Sequence, residues 1–191
     1  MLVMKVLTSG QQYFVQRRNG MKDVMEAVAK YNQGVNVNLI ETLDKAGSAI
    51  LTKETGTYYK TVLGTIQHCF WYEVSWLKRL KALGNYHSLQ AAVLSEELDA
   101  LKANVGDDWN KLSDLMKEID SLFVSFVKEV NPEDLGKTIK FKNYRGEDQE
   151  RIVWHTIFHV LNHYTHHRGE ISGALDRMGV SNDYAGFFRY L

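Results

Sequence analysis

His155–Arg168 reads HTIFHVLNHYTHHR and holds five of the seven histidines of the chain. The segment sits inside a helical pattern that runs, free of proline, from about Gln149 to Met178. On a helix, residues four apart lie one turn above each other on one face, so neutral imidazoles at that spacing suit a divalent metal. With His163 set at zero and roughly 100° per residue, Val153, Thr156, Val160, Tyr164, Ile171, Ala174 and Met178 fall in one apolar arc at roughly +20° to +100°. His167 lies within that arc and His163 at its margin. His159, His166 and His155 fall progressively outside it and read as surface residues or as supports for the inner pair. A lone inward histidine is more often a hydrogen-bonded core residue; an inward i, i+4 pair suits a metal as well.

A catalytic metal centre usually takes three protein ligands and leaves a position open. A third donor must therefore come from elsewhere. His87 lies in the polar stretch GNYHS, which reads as a loop, whereas His68 lies in the apolar helical run TVLGTIQHCFWYEVSWLKRL, Thr61–Leu80. Against Val62, Cys69, Tyr72, Trp76 and Leu80, His68 sits at the edge of its stripe, as His163 does. Two such edges can meet at a seam between helices that is open to solvent on one side.

A histidine in the middle of the second helix, followed by HVLNHYTHHRGEISGAL over His159–Leu175, resembles the DinB/YfiT-like family of four-helix bundles regarded as metalloenzymes. Tyr31-Asn32 is similar to a Tyr-Asn pair of that family's first helix, and NYRGE at Asn143–Glu147 to the strand and turn before its last helix. The resemblance runs from about Lys22 to Leu191 and is most specific in the NHYTHHRG core. It implies an all-α four-helix bundle, up-down-down-up or related, with a short β-hairpin-like insertion before the last helix. It carries the family's metal ligands onto His68, His163 and His167, the trio that periodicity favours. The implied cofactor is a divalent ion, zinc or nickel first, since imidazoles alone discriminate poorly among borderline metals. The implied function is a thiol-dependent transferase acting on a small electrophile, with a non-catalytic metal-binding stress-response protein and a metal-dependent hydrolase as alternatives. Family bundles resemble dimers, so a homodimer is expected. The family's name refers to damage-inducible genes and not to chemistry on DNA.

Composition agrees. The chain has 191 residues, 45% of them hydrophobic, enough for one domain with a substantial core. Lys plus Arg and Asp plus Glu are balanced at 23 each, and no basic stripe with interleaved aromatics favours nucleic acid. Cys69 is the only cysteine, which excludes an internal disulfide and suggests a buried thiol in a reducing compartment. MLVMKVLTSG has too short an apolar run for a signal peptide, and no later run is long enough to span a bilayer, so a cytoplasmic location is expected.

Four main helices are predicted. The first runs from about Met21 to Lys45, behind an arm of residues 1–20 that includes Tyr13 and Phe14. The second spans about Thr57–Ala82, closed by Gly84. LQAAVLSEELDAL suggests a shorter helix between Ser88 and Val105; Asp107 or Asp108 then caps a third main helix that Asn131-Pro132 stops near Val130. Thr138–Tyr144 alternates as a strand, Arg145-Gly146 turns, and the fourth helix follows, with the tail NDYAGFFRYL packing back on the bundle. Tyr72, one turn from His68, is placed to line a pocket, and Glu170 to orient His163 or His166 as a hydrogen-bond acceptor. The remaining aromatics of Phe70–Trp76 read as core, and Glu96-Glu97 and Glu147-Asp148 as solvated charges.

Overall fold

The computed structural model describes the backbone from Ser9 and the side chains from Gly20 through Leu191. Five α-helices and one hairpin build it: α1 Ser9–Ala46, α2 Val62–Leu80, α3 Leu98–Val105, α4 Trp109–Glu129, β1 Thr138–Lys142, β2 Asp148–Ile152 and α5 Val153–Arg177. Four of them, α1, α2, α4 and α5, form the bundle, and each buries a stripe. On α4, Leu112, Met116, Ile119, Phe123 and Phe126 recur every three or four residues and are all at most 2% exposed.

Cross-helix hydrogen bonds give the directions. Lys22 reaches the Lys128 carbonyl at one end, and the Trp109 indole reaches Asp44 at the other, so α1 and α4 are antiparallel. His68 opposite His163 and Tyr72 opposite His159 make α2 and α5 antiparallel. Gln67 near Asp107, and Ser88 past the end of α2 near Glu129, make α2 and α4 parallel. The result is the up-down-down-up bundle that the resemblance implies, with α2 beside α5.

Several boundaries differ from the sequence reading. Helix α2 starts at Val62 and not near Thr57, because Gly56 and Lys60 adopt positive φ in a tight turn and the Thr61 hydroxyl accepts the Gly64 amide at 3.0 Å as an N-cap. The helix ends at Leu80, and a 3₁₀ turn at Lys81–Leu83 carries the chain to Gly84. Asp108 is the cap of α4, accepting from Asn110 and Lys111 amides at 3.0 and 3.2 Å. The segment between Ser88 and Val105 holds 3₁₀ turns before the short α3.

The largest difference lies before α5. Residues 149–152 belong to β2, not to the helix: Thr138 pairs with Ile152 and Lys142 with Asp148 across an antiparallel hairpin. Asn143, Arg145 and Glu147 form the intervening loop, with the Asn143 side chain accepting amides of Arg145 and Glu147. Gln, Glu and Arg suit a helix locally, and only pairing with β1 settles them as strand. The Val153 amide then donates to the Lys137 carbonyl at 2.9 Å, fixing the start of α5 against the hairpin.

At the other end of the chain, the expected arm is only partly within view. Residues 9–20 continue α1 without a break, while residues 1–8 and the side chains of Tyr13 and Phe14 lie outside the described residues. The tail packs back as predicted: the Tyr31 hydroxyl donates to the Tyr184 carbonyl at 2.6 Å, and the Phe187 and Tyr190 rings lie 5.2 and 5.9 Å from the Tyr31 ring. Gly34 makes this possible, since a Cβ there would stand 2.2 Å from the Tyr190 ring. No described helix is long and apolar enough to cross a membrane.

A polar layer crosses the bundle core. Asn32 and Asn36 of α1, Glu73 of α2, Asp120 of α4 and Arg168 of α5 are all at most 3% exposed. Asn36 donates to both Asp120 oxygens at 3.0 Å, and Arg168 donates to the Asn32 and Asn36 side-chain oxygens at 2.5 and 3.1 Å. Both Glu73 oxygens are buried without a hydrogen-bond partner among the described residues. The layer thus buries two acids and one guanidinium together in a low-dielectric interior. Burial lifts Glu73 well above the carboxylate range and Asp120 from 3.8 to about 7.

An acid whose pKa is raised by folding holds its proton in the native chain after the unfolded chain has released it, so its contribution is present below about pH 4 and is lost as pH rises through about 7. Urea titrations from pH 4 to 8, with chelator present, are expected to show the parent losing stability over this window relative to Asp120→Asn. Parallel curves would reject the assignment.

Candidate metal centre

His68 projects from α2 toward His163 and His167 on α5, and the donor nitrogens of all three lie within 4.8 Å of one another. The Nε2 atoms of His68 and His163 are 2.9 Å apart. His68 and His163 are half-buried and His167 is 8% exposed, which follows the wheel that put His167 inside the stripe and His163 at its edge. His155, His159 and His166 are exposed, and His87 is exposed in a separate groove near Glu129.

The electrostatics disfavour the charged form of His68 and His163. Burial is the first cause and neighbouring histidines the second, pushing His163 down to about 3 and His68 below its usual value. A metal ligand must present a lone pair, so neutrality is what ligation requires. His167 Nδ1 lies 2.7 Å from Glu170 Oε2. An ionised carboxylate only accepts, so Nδ1 carries the proton and Nε2 keeps its lone pair for the cluster. The sequence reading aimed Glu170 at His163 or His166; it serves His167, with His166 at 3.5 Å as a second, exposed contact. On α5, a spacing of three brings Glu170 under His167, whereas His163 is two turns away.

These residues fit a metal. Tetrahedral bonds of ~2.0–2.1 Å to nitrogen place donors ~3.3 Å apart, a triangle that small side-chain rotations reach from the observed arrangement. His163 Nδ1 is buried and lacks a partner among the described residues, so this ring has only the cluster side on which to satisfy a nitrogen.

Aromatic rings hold the cluster. Tyr59 stacks on His68 at 4.0 Å and 18°, and presents its edge to His167. Tyr72 stacks on His163 at 4.4 Å, and its hydroxyl meets His159 Nε2 at 2.7 Å. Gly64 admits the Tyr59 loop: a Cβ there would sit 2.5 Å from the Tyr59 carbonyl oxygen. Nothing in the stretch GTYYKT marks Tyr59 as a partner of His68, because a turn with two positive-φ residues brings it there. Cys69, adjacent to His68 in sequence, points into the core; burial pushes its thiol far up, leaving it protonated and outside the cluster.

Tyr72 and His159 also line a cleft of about 560 Å³ between α2, the hairpin and the start of α5, as the pocket-lining reading of Tyr72 expects. Trp76, Arg79, Phe141 and Arg151 form its other main walls.

The sequence profile described as "DinB family" matches residues 20–190, and the chain belongs to that family. The chain is also similar to "Protein DinB" of Bacillus subtilis (strain 168), with 22% identity over 173 residues, covering 90% of this chain and 95% of that protein. No solved structure matches it.

Proposed function

We propose that His68, His163 and His167 hold a divalent metal, zinc or nickel by their donor set, and that the protein is a transferase joining a low-molecular-weight thiol to a small electrophile. The observation that carries this reading is the convergence of three imidazoles, their nitrogens within 4.8 Å of one another, beside a cleft large enough for a small substrate that reaches them through Tyr72. A bound metal supplies a Lewis acid that lowers the pKa of a thiol and fixes its sulfur. Glu170, through His167 Nδ1, orients one ligand, while Tyr59 and Tyr72 clamp the other two rings and exclude water from their faces. His159, exposed and hydrogen-bonded to Tyr72, is placed to take the thiol proton to solvent. The sulfur lone pair then forms the new S–C bond, and the leaving group departs from that carbon with the former bonding pair.

Cobalt-substituted protein tests the proposal. Adding a low-molecular-weight thiol is expected to produce a sulfur-to-metal charge-transfer band, and adding an electrophile such as 1-chloro-2,4-dinitrobenzene a thioether whose formation His167→Ala abolishes. A cobalt spectrum that responds to amines and carboxylates but to no thiol overturns it, in favour of a hydrolase or a metal-binding protein without catalysis.

A further inference from the structure

The cleft beside the metal centre holds two guanidinium groups and no carboxylate. Arg79, Arg151, His155 and His159 line it, and no Asp or Glu does. Arg79 is half-buried, with its guanidinium 4.7 Å from the centres of both the Trp76 and Phe141 rings. Among the described residues it donates no side-chain hydrogen bond and has no acidic partner within ion-pair distance.

The hairpin explains why acids are missing. Strand alternation sends Phe141, Gln149 and Arg151 to the cleft face and Lys140, Lys142, Asp148 and Glu150 to the other. The acids are consumed there, Glu150 by Lys140 and Asp148 by Lys142, each at 2.8 Å. Arg151 is left with the Glu150 carbonyl and the Gln149 side-chain oxygen. A half-buried guanidinium seated against two touching aromatic rings, with its donor edge unused, is built to receive a planar anion. The walls beside it are apolar, so the anion belongs to an apolar body.

We infer that this cleft is a carboxylate-binding subsite in which Arg79, assisted by Arg151, holds the carboxylate of a small aromatic or aliphatic acid against Trp76 and Phe141. As the subsite of the electrophile it rests on the transferase reading; as a carboxylate site it stands without the metal. Tyr72, shared by the cleft wall and the His163 stack, joins the two.

Calorimetric titration of metal-free protein with 2-naphthoate and with neutral 2-naphthamide tests it. The acid is expected to bind at least ~10-fold more tightly than the amide, the scale of a charge-assisted hydrogen-bonded pair. Arg79→Gln should remove most of that preference and Arg151→Gln a smaller part. Unchanged amide affinity in these variants would show that the cleft is intact. Equal affinities in the parent, binding of neither compound, or a preference that survives in the double variant would overturn the subsite. Displacement of naphthoate by N-acetylcysteine at matching concentration would move the carboxylate from electrophile to thiol and overturn its assignment to the former. Because no metal is present, a lost carboxylate preference leaves the cobalt experiment standing, and a silent cobalt spectrum leaves the subsite standing.

Discussion

Alanine at His68, His163 or His167 is expected to strip the metal from the purified protein, whereas alanine at His87 or His155 leaves the metal content of the parent. The first three offer nitrogens within 4.8 Å of one another; the other two are exposed and lie apart from the cluster. Removing one imidazole leaves two ligands, too few for a stable borderline-metal site, so the loss should be nearly complete in protein purified without added chelator. Glu170→Gln should show a graded result. It keeps an acceptor for His167 Nδ1 but loses the charge, and affinity should fall by ~10–100-fold, as is typical when the support of a ligating histidine is weakened. Elemental analysis and a competitive zinc titration measure both effects. Equal metal retention in all five alanine variants would reject the ligand set.

The second large effect lies in the core. Arg168→Met should destabilise the bundle by about 3–5 kcal/mol, the cost of leaving a buried charge network without its partner. Arg168 is the cation of a layer that also buries Glu73 and Asp120, and its two hydrogen bonds to Asn32 and Asn36 position the amides that hold Asp120. Loss of the guanidinium leaves two asparagine oxygens without their donor and two buried acids without the cation of their layer. Asp120→Leu added to Arg168→Met should recover part of the loss, because a buried ionic group replaced as a whole by apolar side chains costs less than one broken in half. Urea midpoints for the two single variants and the double variant give the coupling directly. Additive effects, or an Arg168→Met midpoint within error of the parent, would show that the layer is not a unit. His167 follows a different rule, since its variant is expected to lose metal with a smaller loss of metal-free stability.

Arg168 also shows where reading the chain stopped. Its residue type and its place beside His163, His166 and His167 give no sign of the buried polar layer it joins. The wheel does not reveal that α1 presents Asn32 and Asn36, and α4 presents Asp120, at the same level. Tyr31-Asn32 was legible as a family feature; its purpose, one residue binding the tail and the next the buried arginine, was not. The cluster of three histidines was legible because its geometry is largely local: an i, i+4 pair on one helix and a histidine at the edge of another.

By itself, the sequence determined the four amphipathic stretches, the inward turn of His163 and His167, the choice of His68 over His87, and the family. Each depends on periodicity or on residue type within one segment, where the helix geometry is known before the fold is. Only the tertiary structure decided that residues 149–152 pair with β1 instead of extending α5, that Tyr59 returns over His68, that Glu170 serves His167, and that one guanidinium is buried in the same core layer as two acids. Only it made a cleft lined by Arg79 of α2 and Arg151 of β2, with the acids of the hairpin turned to its far face. These depend on contacts between segments far apart in sequence, whose register is fixed by packing and pairing of the whole chain and by no local preference of the residues involved.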